Sequence, residues 1–357
     1  GSTSARVGSS EADMRDCMPV TAPARAGRGI HSSVSSSSDV LLVALRDGVL
    51  DAPQLDRVRA AAGDMRVVVT RDGAAIEGLL PHVRVALGQF PHDLLPGAGR
   101  LAWFQQWGAG ADWLLRHPGA AELPFVLTNT SGIHAVPISE HVFACLLAFA
   151  RALPRALEQQ ARAEWKPVPA ASLVELAGKT MLLVGVGAIG ERVASLALAF
   201  GMRVEAVRND ARRPLHGAAA VHGQDALLDV LPNADAVVIT APLTAATRGM
   251  FGAEQFRAMK RSAYLVNIGR GATVVEADLV TALQDGELAG AALDVFEQEP
   301  LPVISPLWSM SNVIVTAHYS GATPLYAARA LEIFLDNLKR FRAGEELVNV
   351  VDKRQGY

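Results

Sequence analysis

Arg270, Glu299 and His318 each stand just past an apolar, β-rich run: AYLVNI, GAALDVFEQ and VIVTA. A guanidinium binds anions, and a carboxylate beside an imidazole can hold and move a proton. In an open parallel sheet the carboxyl ends of the strands form the ligand crevice, so residues brought to one such edge would meet a ligand together. Taken singly, each has a plainer explanation. Arg270 would bridge two loops, Glu299 before Pro300 would shape a turn, and His318 would be satisfied within its loop. Their joint order favours catalysis. Of the nine histidines, no pair has the helix spacing and acidic company of a metal site, and no metal is expected.

A second constellation lies in LLVGVGAIGERVASLALAFGMRVEAVRND, residues 182–210. It reads as strand, glycine turn, helix and second strand, the order of a dinucleotide-binding unit. Gly185 would permit the tight turn, Gly187 would let the backbone approach a pyrophosphate, and Gly190 would let the helix pack closely on the sheet. The anion would rest on the free N–H groups and positive dipole end of a helix opening at Ala188 and Ile189. An ordinary glycine-rich turn has the same letters, but not the same flanking elements. The second strand, residues 203–207, should end at an acidic residue that binds the ribose hydroxyls of NAD. Arg208 stands there instead, with Asn209, Arg212 and Arg213 behind it. A guanidinium accepts no hydrogen bond but grips a phosphate, so NADP(H) is expected over NAD(H). The alternative is that Arg208 points into solvent and Asp210 takes the ribose.

Two α/β units are expected to position these residues. DVLLVAL, RVVVT, VRVALGQ, LAWFQQW and FVLTNT alternate with helical or turn-rich sequence from Asp39 to Thr130, and TMLLVG, RVEAV, AVVIT, AYLVNI, GAALDV and VIVTA form a second set after Gly178. That rhythm gives parallel sheets with helices on their faces. Between the sets, residues 137–165 contain VFACLLAFARAL, apolar on nearly every side. Such a helix is either fully buried within the chain or packed on a second subunit. A last helical stretch, residues 324–342, follows the second set.

At 357 residues, half of them apolar, the chain exceeds what one core usually serves, and two domains are expected. The net charge of −3 gives no basic footprint for nucleic acid or anionic membrane. No apolar run approaches the length of a bilayer span, and the N-terminus lacks the apolar core of a secretory signal, so a cytoplasmic location is expected. Cys17 and Cys145 suit a reducing compartment and need no disulfide. Residues 1–38, rich in Ser, Ala, Gly and Arg, are expected to be a disordered extension. Glu11, Asp13 and Asp16 argue against a transit peptide.

NIGRGATVVEADLVTALQDGELAGAALDVFEQEPL, SPLWSMSNVIVTAHYSGAT, DAVVITAPLTAATRGMF and the glycine loop together resemble the D-isomer-specific 2-hydroxyacid dehydrogenases, over nearly everything from Val40 to Val350. The resemblance implies two Rossmann-like or flavodoxin-like parallel-sheet domains with a cleft between them. The final helix would return to the first, giving a discontinuous substrate domain of residues 39–137 and 320–357 around a dinucleotide domain of 138–319. His318 would donate a proton to the carbonyl oxygen, Glu299 would orient the ring and favour its protonated form, and Arg270 would hold the substrate carboxylate. Turnover is then expected to fall as alkali removes that proton. Trp107-Gly108-Ala109-Gly110-Ala111-Asp112 resembles the loop whose backbone N–H groups receive the substrate carboxylate, which assigns Ala109 and Gly110. A plain strand-to-helix turn is the alternative. Gly88-Gln89-Phe90 would roof the pocket.

By the same resemblance Asp294 binds the nicotinamide carboxamide, Pro242 and Ile268 line the cofactor cleft, and Ser320-Gly321 flank the nicotinamide on the substrate side. Tyr319-Ser320 stands where the family often has Ile-Gly, which leaves the pocket shape open. The expectation is an NADPH-preferring 2-keto acid reductase, most like glyoxylate or hydroxypyruvate reductases, acting as a homodimer through the Val142 helix region. Glu299 argues against formate oxidation, where the family has glutamine. A chain ending soon after the closing helix argues against the longer phosphoglycerate dehydrogenases. A rival is a dinucleotide-sensing scaffold like the C-terminal-binding protein corepressors, which favour NAD(H), against Arg208.

Overall fold

A computed structural model describes residues 39–356. The expectations for residues 1–38, Cys17 included, lie outside the described residues.

The first half runs β1 (Val40–Ala44), α1 (Ala52–Ala62), β2 (Arg66–Val69), α2 (Gly73–Leu79), β3 (Val83–Gly88), β4 (Trp103–Gln106) and β5 (Val126–Thr128). The strands form one parallel sheet in the order β2-β1-β3-β4-β5. β1 is buried along its whole length, which is why it reads as an unbroken apolar run rather than an alternating one. Asp51 starts α1 through a reciprocal cap with Gln54, each side chain accepting the other's backbone N–H at 2.8 and 2.9 Å. That satisfies two otherwise orphaned donors.

After α3 (Ala135–Ala150) and α4 (Leu153–Ala161) come β6 (Thr180–Val184), α5 (Ala188–Ala199), β7 (Arg203–Val207), β8 (Ala220–His222), α6 (Leu227–Val230), β9 (Ala236–Ile239), α7 (Ala253–Ala258), β10 (Tyr264–Asn267), α8 (Glu276–Gln284), β11 (Gly290–Leu293) and β12 (Val313–Val315). Their strands form a second parallel sheet, β12-β11-β10-β9-β6-β7-β8. β8 is not legible in the sequence. It is three half-buried residues pairing only with β7 at the sheet edge, too short and too little apolar to stand out.

The apolar stretch at residues 137–165 is two helices. The break falls at Ala152, whose φ is +53°, just before Pro154 near the start of α4, where proline's missing N–H is harmless. α3 packs one face against α5, β10 and β11, with Phe143 stacked on Phe200 and Phe149 on Tyr264, while Val136, Glu140 and Ala144 stay exposed. α4 buries none of its residues, and Leu157 is 65% exposed.

The last helix, α9 (Tyr326–Ala343), lies on the first sheet. Leu331, Phe334 and Leu338 are fully buried there, with Phe334 stacked on Trp103 at 5.2 Å. Asn337 is buried but satisfied, donating to Gln105 Oε1 and the Val348 carbonyl and accepting from the Val348 N–H. Val350 then pairs antiparallel with Thr128 at the edge of the sheet. Among the described residues no single helix is long and apolar enough to cross a membrane, and Cys145 is a buried free thiol pushed up to about 11 by burial.

Candidate active site

Each sheet has a point where its strand order reverses, β1/β3 in the first and β6/β9 in the second. In parallel sheets ligands bind outside the carboxyl ends at such points. The glycine loop follows β6. Gly185 has φ +92°, and a Cβ there would stand 2.6 Å from the backbone of Ala241; one on Gly190 would stand 2.9 Å from the Gly185 carbonyl. Gly187 differs, because a Cβ on it meets nothing within 4 Å. Gly185 and Gly190 are therefore required by the protein's own packing, while Gly187 borders open space at the start of α5, where Ala188 and Ile189 begin the helix. That space and the uncapped helix end fit a dinucleotide pyrophosphate. Gly185→Ala is expected to lower the melting temperature by several degrees, since a 1–3 kcal/mol strain of this kind is of that order. Gly187→Val should leave melting nearly unchanged and weaken dinucleotide binding, read by fluorescence titration. Equal effects of the two substitutions would contradict this division.

Arg208 does not point into solvent. It is nearly buried at the end of β7, donating through Nη2 to the Val186 carbonyl at 3.1 Å and through Nη1 to the Arg213 carbonyl at 3.5 Å. Burial first, and then the Arg213 guanidinium, lower its pKa, while Glu191 and Asp210 act the other way. Asp210 is held by Arg212 at 2.8 Å. Asn209 follows Arg208 directly. Pro242 accepts a hydrogen bond from Thr247 at 2.6 Å, and Ile268 is buried at the end of β10.

His318 and Glu299 meet, Nδ1 to Oε2 at 2.7 Å, and Glu299 Oε1 accepts from the Phe296 N–H at 3.1 Å. His318 has φ +53°, a left-handed conformation uncommon for a side chain of this size and often found where function requires it. The loop carrying it is tied to β11. Asp294, buried just past that strand, accepts from the Thr316 hydroxyl at 2.7 Å and from the N–H groups of Tyr319 at 3.1 Å and Ser320 at 3.0 Å. The structure thus gives Asp294 a loop-holding role that the sequence did not reveal. Ser320 is likewise buried.

Arg270 reaches the first half of the chain. Its Nε and Nη2 donate to Asp112 Oδ1 at 3.1 and 3.0 Å, and its Nη1 to the Gly269 carbonyl at 2.8 Å. Its guanidinium lies against Gly110, where a Cβ would stand 1.7 Å from Nη2. Ala109 and Gly110 have their carbonyls turned inward, accepting from Asn129 Nδ2 at 2.8 Å and Gln106 Nε2 at 2.7 Å. Gln106 also donates to the Gly108 carbonyl and accepts from the Trp113 indole, which is itself stacked on His92 at 3.8 Å. Among the described residues the N–H groups of Ala109 and Gly110 donate no hydrogen bond within the chain. A peptide loop with its carbonyls tied back and its N–H groups free is suited to an anion.

Sequence reasoning missed Asp112, Gln106 and Trp113. The available signal was a pair of amides, Gln105-Gln106, ending an otherwise apolar buried strand. It also missed His134, which lies between the halves. A Cβ on Gly321 would stand 2.7 Å from its ring, the ring is 5.1 Å from that of Tyr326, and burial together with the Arg270 charge lowers its pKa. The Tyr326 hydroxyl donates to the Trp107 carbonyl.

One expectation is corrected. Phe90 does not roof the pocket, because it is buried in the core of the first sheet beside Phe104. Gln89 does line a cavity of about 310 Å³ at the β1/β3 switch point, with Leu45, Arg46, Val49 and Trp107. Among the described residues no group of three or more His, Cys, Asp or Glu is arranged to hold a metal.

Two parallel sheets, a glycine loop at one switch point and a histidine–glutamate pair with a bridging arginine at the carboxyl edges are the layout of a dinucleotide-dependent oxidoreductase. Residues 143–320 match the family described as D-isomer specific 2-hydroxyacid dehydrogenase, NAD binding domain. Glyoxylate reductase of Aeropyrum pernix is 36% identical over 268 residues, covering 73% of this chain and 79% of that protein. The solved D-isomer specific 2-hydroxyacid dehydrogenase of Xanthobacter autotrophicus Py2, in complex with NADPH and MES, is 31% identical at a TM-score of 0.77, covering 90% of this chain and 100% of that one. The NADPH-dependent glyoxylate/hydroxypyruvate reductase of Sinorhizobium meliloti, solved with NADP and sulfate, is 29% identical at a TM-score of 0.75, covering 89% and 100%. The chain belongs to the D-isomer specific 2-hydroxyacid dehydrogenase family, whose members are NAD(P)-dependent oxidoreductases.

Proposed function

We propose that the protein reduces a small 2-keto acid, of the glyoxylate or hydroxypyruvate kind, to the D-2-hydroxy acid with NADPH. The observation that carries this reading is the 2.7 Å His318–Glu299 pair in a molecule whose Arg270 and free Ala109 and Gly110 N–H groups converge on one place. The bound dinucleotide supplies the hydride. Arg270 and the two N–H groups hold the substrate carboxylate, and Arg270 polarises the keto oxygen. With Nδ1 committed to Glu299, His318 keeps Nε2 for the proton that the keto oxygen takes up, and Glu299 offsets the charge of the protonated ring.

Gly185, Gly187, Ala188, Ile189 and Gly190 hold the pyrophosphate, and Arg208, Asn209 and Arg212 the 2′-phosphate. Pro242, Ile268 and Asp294 border the nicotinamide, with Ser320 on its substrate side. For Arg208 the support is electrostatic. A cation nearly buried beside another guanidinium is relieved by an added anion. The relatives solved with NADPH and with NADP agree.

Residues 39–137 with 320–357 act as one body and 138–319 as the other, and their closure expels water from the substrate. The working form is a homodimer in the reducing cytoplasm. Leu157 and the 97% exposed Trp165 on and after α4 offer its apolar face.

The test is the loss of nicotinamide absorbance with glyoxylate, hydroxypyruvate, pyruvate and phenylpyruvate, each with NADPH and with NADH. Turnover is expected with NADPH, and Arg208→Ser is expected to weaken NADPH about 10- to 100-fold while sparing NADH, the loss of a charge-assisted phosphate contact. Equal use of both dinucleotides by the unaltered protein would remove the phosphate role of Arg208. Tight NADH binding with no turnover would favour the sensing scaffold.

A further inference from the structure

Arg270 belongs to the second sheet and Asp112 to the loop after β4 of the first, so their contact is a strut across the cleft. The two side chains are 30% and 32% exposed, and an ion pair that wet contributes little to stability. Its value lies in geometry. A guanidinium carries five N–H donors in one plane. Asp112 takes one each on Nε and Nη2, and Gly269 takes one on Nη1. Among the described residues, one N–H on Nη1 and one on Nη2 are left for another acceptor. A lone arginine on a flexible stem would not aim them. Asp112 and the Gly269 carbonyl hold the group in one orientation, and it lies against Gly110 beside the free N–H groups of the loop.

We propose that Asp112 is a positioning residue for substrate recognition. From the opposite sheet it fixes the Arg270 guanidinium so that its remaining donors and the N–H groups of Ala109 and Gly110 meet on one carboxylate. Selection of 2-keto acids over uncharged carbonyl compounds therefore depends on Asp112, although Asp112 is itself an anion at an anion site. The proposal rests on the reductase reading above. An internal carboxylate that merely competes with substrate for Arg270 would act with the opposite sign.

The experiment compares Asp112→Ala and Asp112→Asn with the unaltered full-length protein, using NADPH with glyoxylate and with its uncharged ethyl ester, and measuring oxamate binding to the protein–NADPH complex. Asp112→Ala is expected to raise KM for glyoxylate and Kd for oxamate about tenfold or more, with a smaller fall in kcat, as loss of orientation predicts. Asp112→Asn keeps an acceptor oxygen in place and should restore most of the affinity. The ester, which has no carboxylate to align but whose keto oxygen Arg270 still polarises, should lose several-fold less kcat/KM than the acid. A lower KM in Asp112→Ala would establish the competitor instead. Unchanged constants, or equal losses on acid and ester, would overturn the proposal. If the unaltered protein reduces none of the acids, the reductase reading fails by itself, and oxamate binding still reports on the Asp112 strut.

Discussion

His318→Asn is expected to fold, bind NADPH normally and lose about a hundred- to ten-thousand-fold in kcat for 2-keto acid reduction, the range for removing a general acid. Asparagine is the right replacement because residue 318 has φ +53°. Asparagine tolerates that left-handed conformation better than most side chains, so the loop tied to Asp294 is not asked to refold. Alanine would mix backbone strain with loss of the proton donor. KM should change little, since in the proposed reaction Arg270 and the Ala109–Gly110 loop, not the imidazole, would carry the carboxylate. Glu299→Gln should cost less than His318→Asn. The amide still fills the 2.7 Å position beside Nδ1 but no longer offsets the charge of the protonated ring. Steady-state kinetics with a thermal melt for each variant decide the matter. A His318→Asn protein with near-native kcat would remove His318 from the chemistry.

Gly110→Ala is expected to be folded and nearly inactive. The added methyl would stand 1.7 Å from Arg270 Nη2 and 2.9 Å from Asp112 Oδ1, both far ends of side chains that move without disturbing the backbone. The fold therefore yields by swinging the guanidinium aside, and the carboxylate clamp is lost. A displacement of that size in a positioning group costs on the order of a hundredfold in kcat/KM, with the melting temperature within a few degrees of native. Gly271→Ala is the control of opposite kind. Its methyl would overlap the Phe296 backbone at 1.9 Å, so it tests folding rather than chemistry. Gly110→Ala with native activity would mean that Arg270 does not serve substrate from the position seen here.

The sheets were legible because their central strands are buried, so β1 and β9 appear as unbroken apolar runs and β3 and β6 as nearly so. The glycine loop was legible because three different constraints put glycine at fixed spacing. β8 was not, since three half-buried residues at an edge carry almost no pattern. The division of the apolar stretch into α3 and α4 was marked by Pro154 but masked by the hydrophobicity on either side. The partners within the site were hidden for another reason. Asp112 and Arg270 are 158 residues apart, and nothing in either local pattern says which carboxylate an arginine will meet. The direction of Arg208 was equally unreadable, because residue type gives its chemistry but not the carbonyls of Val186 and Arg213 on which it rests.

Asp294 has one more consequence. Its carboxylate is the peg on which the His318 loop hangs, and in the proposed complex it also borders the nicotinamide. Proton and hydride are then both set out from one benchmark. A shift of β11 would then move the two together. The clamp for the carboxylate instead joins the two sheets, with Arg270 from this one and Ala109, Gly110 and Asp112 from the other.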